Sequence, residues 1–141
     1  MIAMSTILTL PRPELDSFQL HAVQPVLRVR DIAESVAWYR DVLGFEEDFV
    51  WGDPPEHARV HAIDHTTRVA IQLSLGLSER PDPNNSGWIM IHVGEGIDRL
   101  YEQYRERGVE IARELDSRPW GMRDFDILDI DGNRIRFAAE G

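Results

Sequence analysis

Pro25-Val26-Leu27-Arg28-Val29 and Ile89-Met90-Ile91-His92-Val93 decide how this sequence is read: both are short apolar runs, and Val29 and Val93 stand 64 positions apart. Each run has the length and side chains of a strand. Behind the first comes Asp31, a helix N-cap residue, with Glu34 three places on in capping-box spacing. Ile32, Val36, Tyr39 and Leu43 then recur at helical spacing, and Gly44 supplies the stop. Behind the second, Ile97, Leu100, Tyr101 and Tyr104 mark a helix face ending at Gly108, again 64 residues after Gly44.

The far ends of the two units keep that offset, since Ile71-Gln72-Leu73 matches Ile135-Arg136-Phe137. Between helix and end lie further strand-like runs at 57–63 and 68–75, joined at Asp64-His65-Thr66-Thr67. Their counterparts are 125–128 and 134–138, joined across the tight-turn signal Asp131-Gly132-Asn133, and 110–115 gives another strand. The pattern predicts an α+β domain over 22–141 built from two βαβββ modules, 22–76 and 88–141. Pro81, Pro83, Asn84, Asn85 and Ser86 mark 77–87 as a linker, and 1–21 reads as an N-terminal arm or tail. Each module should turn one sheet face to its helix and leave the other open. Together they should form a cupped, partly closed mixed sheet around a central cleft, the place to look for a ligand.

The bulk properties of the 141 residues narrow the function. No apolar run is long enough to span a membrane, so no membrane partner is expected. A formal charge of −10 counts against nucleic acid as a partner, and would draw a cationic ligand by long-range attraction. Its plainest meaning is solubility. The absence of cysteine removes disulfides and thiolate chemistry, and a cytoplasmic location is the default expectation. No Gly-x-Ser-x-Gly elbow occurs, and Gly94-Glu95-Gly96 lacks the further glycine of a dinucleotide fingerprint, so no catalytic residue is assigned.

Val26-Leu27-Arg28-Val29-Arg30-Asp31, running into Trp38-Tyr39-Arg40-Asp41-Val42-Leu43-Gly44-Phe45, resembles the glyoxalase / bleomycin resistance / extradiol dioxygenase superfamily. So does Asp129-Ile130-Asp131-Gly132-Asn133-Arg134-Ile135-Arg136-Phe137. The stretch Arg118-Pro119-Trp120-Gly121-Met122-Arg123-Asp124-Phe125 looks more narrowly like bleomycin resistance proteins. In metal-using members the resemblance places four ligands, His, Glu or Gln, at positions occupied here by Gln24, Gln72, Trp88 and Arg136. The repeat agrees, since Gln24 to Trp88 and Gln72 to Arg136 are each 64 apart. An indole has no suitable lone pair and a guanidinium is a permanent cation, so neither a metal nor another cofactor is expected. His57, His61 and His65 are four apart, but along a strand and turn they spread too far for one ion. They and His21 and His92 read as solvated surface histidines.

The resemblance implies a groove for a planar drug lined at the positions of Phe49, Trp88, Trp120 and Gly121. Arg136, Gln72 and Gln24 join them as candidate ligand-binding residues. Asp48, Asp53 and Glu56 could meet a cationic tail, although their simpler reading is as ordinary surface acids. The expectation is a non-catalytic, antibiotic-resistance-like protein that sequesters a flat aromatic small molecule with cationic character. In the family the groove lies between subunits and the N-terminal segment takes part in dimerisation, which implies a homodimer. The competing expectation is a metal-dependent lyase, isomerase or oxygenase with an atypical metal site.

Overall fold

The computed structural model describes residues 10–62, 69–82 and 86–141. The expected turn at Asp64-His65-Thr66-Thr67, linker residues Pro83, Asn84 and Asn85, and the first nine residues of the arm lie outside them. Module one runs β1 (Val26–Val29), α1 (Ile32–Asp41), β2 (Glu46–Trp51), β3 (His57–His61) and β4 (Ala70–Leu75). Module two runs β5 (Trp88–His92), α2 (Ile97–Glu106), β6 (Glu110–Ser117), β7 (Met122–Leu128) and β8 (Arg134–Glu140). This is the βαβββ order read from the repeat. Each module forms its own four-stranded mixed sheet, ordered β1-β4-β3-β2 and β5-β8-β7-β6.

The repeat extends to individual hydrogen-bonded pairs. Val26 faces Gln72 across the parallel pair of module one, and Met90 faces Arg136 at the same place in module two. Both second strands are bulged at equivalent points, between Glu47 and Phe49 and between Ile111 and Arg113. The third strands break the offset. Ala58 and Phe125 face Leu73 and its counterpart Phe137, yet lie 67 residues apart. The β6–β7 hairpin is accordingly longer than β2–β3, and at its tip Gly121 takes φ +89°, the left-handed region that glycine enters without strain.

Alternation assigns the two faces of each sheet. Val29, Val60, Ile71 and Leu73 are buried toward α1, and Phe125, Ile127, Ile135 and Phe137 toward α2. Burying one such side chain contributes about 1.5–3 kcal/mol. The first helix starts as read: the Asp31 carboxylate accepts the Glu34 amide at 2.8 Å. The two cores form one cluster, and the Tyr104 hydroxyl donates across to the Leu43 carbonyl at 3.0 Å.

A polar clasp closes this junction. Buried Asp129 accepts the Tyr39 hydroxyl at 2.7 Å, the backbone amides of Asp131 and Asn133, and the Asn133 side chain. Arg30 in turn donates its backbone amide and Nε to Asp131, and Asn133 donates to the Arg28 carbonyl. The Asp-Gly-Asn turn therefore fixes module two onto the start of module one. Burial pushes the Asp129 carboxyl above its ordinary range, against the hydrogen bonds from Tyr39 and Asn133. Burial likewise pushes the Tyr39 hydroxyl well up.

Candidate ligand-binding site

The faces turned away from the helices carry every candidate strand residue. On sheet one, Gln72 donates Nε2 to Gln24 Oε1 at 2.8 Å, and its Oε1 lies 2.6 Å from His57 Nε2. An amide oxygen can only accept, so this geometry puts a proton on His57 Nε2. Phe49, 36% exposed, stacks on His57 at 6.2 Å between centroids. Arg59 lies 5.1 Å above the Phe49 ring and bonds Asp48.

Sheet two is built differently from the same positions. Asp126, with no exposed surface, takes Nε of Arg136 at 2.7 Å and its Nη2 at 3.0 Å. Arg134 bonds the same carboxylate at 2.7 Å. The Arg136 guanidinium also lies 4.1 Å from the ring centre of Trp88, which remains 45% exposed. Next along β7, buried Asp124 takes Arg118 at 2.9 Å and Arg113 at 3.9 Å. Arg113 sits 5.9 Å from the ring of Trp120 at the hairpin tip, where Trp120 is 64% exposed. Burial pushes the Asp126 carboxyl up, but hydrogen bonds and charge from Arg136 and Arg134 outweigh it and hold it below the ordinary range.

Several sequence expectations change. The Arg136 guanidinium meets a carboxylate on the adjacent strand, Asp126, which it shares with Arg134. His57 and His61 are not solvated surface residues: His57 is half-buried against Gln72, and His61 is buried 3.7 Å from Glu46. His21 and His92 are exposed, and His65 lies outside the described residues. Asp48 is held by Arg59, whereas Asp53 and Glu56 are exposed acids. Asp124, Asp126 and Arg113 are given no role in the sequence reading, and His57 enters it only as a surface histidine. The available signal was alternation along 122–128, which puts both aspartates on the open face.

The donor set does not suit a divalent ion. Trp88 offers a ring face already covered by Arg136, and Arg136 places a fixed cation where a ligand oxygen or nitrogen would be needed. Gln24 and Gln72 hydrogen-bond to each other, leaving His57 as the sole imidazole among these contacts. A separate apolar groove of about 560 Å³ is lined by Val23 and Pro25 ahead of β1, Ala70 and Ile71 at the start of β4, and Met90 and His92 on β5, among others.

Residues 19–137 match the model of the Glyoxalase/Bleomycin resistance protein/Dioxygenase superfamily, and the chain belongs to that superfamily. No curated protein matches the sequence significantly. Among solved structures, a glyoxalase/bleomycin resistance protein/dioxygenase from Alicyclobacillus acidocaldarius superposes with a TM-score of 0.70 at 17% identity, covering 85% of this chain and 91% of that one. A bleomycin-binding protein from bleomycin-producing Streptomyces verticillus, complexed with copper(II)-bleomycin, gives 0.65 at 24% identity over 88% and 99%. The fosfomycin resistance protein FosX from Listeria monocytogenes gives 0.65 at 19% identity over 88% and 96%. These likenesses establish the fold. No helix among the described residues is long and apolar enough to cross a membrane.

Proposed function

We propose that this protein binds and sequesters a flat aromatic small molecule on its open sheet faces, without metal catalysis. The observation that carries the reading is Trp88. By the family resemblance it stands where metal-using members carry a ligand; it is held from one side by Arg136 and keeps nearly half its surface free. Trp120 and Phe49 extend the aromatic lining, with Gly121 turning the hairpin that presents Trp120. A stacked aromatic contact contributes about 0.5–1.5 kcal/mol beyond area burial, so two or three such rings suit a planar ligand. The bleomycin-binding relative supports the drug-binding form of this proposal, and the fosfomycin resistance relative supports a broader antibiotic-resistance role.

The protein acts in this reading as a cytoplasmic homodimer. The contacts of Gln24, Gln72, His57 and Phe49 described above stay within sheet one, and those of Trp88, Arg136 and Trp120 within sheet two. A groove between two copies would bring unlike faces together, and light scattering on the purified protein reads the mass directly. A monomer at all concentrations would remove this part of the proposal.

Titration of tryptophan fluorescence with bleomycin and with uncharged planar aromatics tests the ligand class. The expected result is saturable quenching by at least one planar aromatic, which Trp88→Ala weakens about tenfold or more. Absence of quenching by bleomycin and by simpler planar aromatics would remove it. The second reading, a metal-dependent lyase, isomerase or oxygenase, has one observation in its favour: Gln24, Gln72 and the His57 imidazole stand linked side by side on sheet one. Elemental analysis after incubation with Zn, Ni, Mn and Fe salts separates the two, since stoichiometric retention would favour the enzyme.

A further inference from the structure

Each of the three rings offered to a ligand already carries an arginine from its own chain. Arg59 lies over Phe49, Arg136 over Trp88 and Arg113 over Trp120, at 5.1, 4.1 and 5.9 Å from the ring centres. A cation is drawn to an aromatic face by the negative charge concentrated there. Once a guanidinium lies on the face, that attraction is used, and a second cation stacked beyond the ring meets a like charge within a screening length. The reverse holds for an anion. Arg136 adds hydrogen-bonding capacity, because among the described residues it places Nε and Nη2 on Asp126 and leaves the N–H groups of Nη1 for a ligand.

We infer that the ligand is a planar aromatic acid or an electron-poor neutral ring rather than a cation, selected by the arginines stacked on Phe49, Trp88 and Trp120. This rests on the open faces being the binding site and assigns the charge class of what they hold. It runs against the overall charge of −10, which acts at long range and is screened beyond about 8 Å at physiological salt. Asp116 and Glu140 are exposed acids at the margins of sheet two, and Asp48 offsets Arg59 beside Phe49. Asp124 and Asp126, however, are buried and each serves two arginines, which leaves positive charge beside Trp120 and Trp88.

Naphthoate, naphthamide and naphthylmethylammonium share one ring system and differ in charge, and calorimetry with all three on the full chain tests the inference. The expected order is naphthoate tightest and the ammonium weakest, about tenfold apart or more. Arg136→Gln should weaken naphthoate several-fold and leave naphthamide nearly unchanged, while Arg134 continues to hold Asp126. Arg113→Gln is the second variant should the first unfold. Tightest binding by the ammonium overturns the charge assignment alone. Failure of all three to bind overturns the binding site as well.

Discussion

The open faces of the two sheets start from one scaffold and solve the same positions in opposite ways. At the register point where the first strand meets the last, module one has Gln72 and module two has Arg136. Around Gln72 the polar groups are neutral, an amide–amide–imidazole chain with Phe49 stacked on its end. Around Arg136 they are charged, with two buried aspartates and four arginines in a ladder across β6, β7 and β8. The difference teaches that the shared fold sets where side chains point and leaves their chemistry free. One position on an open face holds a neutral hydrogen-bonded chain in module one and an internal ion pair in module two. Buried ion pairs are weak sources of stability but strict about geometry, which suits a rigid platform for a ring.

The contrast between the faces can be broken most severely at Asp126. Asp126→Ala leaves Arg134 and Arg136 without their carboxylate and should cost about 3–5 kcal/mol in denaturant unfolding. A loss under about 1 kcal/mol would mean that the ladder is solvated. Tyr39→Phe tests the junction that sets the faces in place. It strips one donor from buried Asp129 and should cost about 1–3 kcal/mol. Gln72→Ala, on the neutral face, removes uncharged hydrogen bonds and should cost about 0.5–1.5 kcal/mol.

The pH dependence sharpens the comparison further. Asp126 is more acidic folded than unfolded, so its contribution is present above the unfolded value near 4 and disappears as the pH falls through its lower folded value. Asp129 is less acidic folded, so it opposes this trend: its contribution is present below about 4 and is lost as the pH rises through its folded value. Asp126→Asn should therefore flatten the acid limb of a stability–pH curve, and Asp129→Asn should steepen the net rise with pH. Equal slopes in all three proteins would remove both assignments.

Much of the scaffold was legible in one sequence because the module occurs twice. The shared offset joined Val29 to Val93 and Gly44 to Gly108, and alternation separated Leu73 and Phe137 from Gln72 and Arg136. The candidates Trp88 and Arg136 came from the family resemblance, and the same offset agreed with it. His57 was misread as solvated because spacing along one strand says nothing about the strand beside it. Its partner Gln72 is 15 residues away, and only the β3–β4 register brings them together.

What the sequence determined by itself is the order of elements, the duplicated module and the residue types on each open face. Period-two and period-3.6 patterns are local and survive without knowledge of packing. The tertiary structure decided which charges cancel. Arg136 read alone is an unmatched cation in a cleft; folded, it lies between Asp126 and Trp88, contributed by strands on either side. Charge pairing depends on distances of a few ångströms between segments far apart in the chain, and no spacing rule along one strand carries that information.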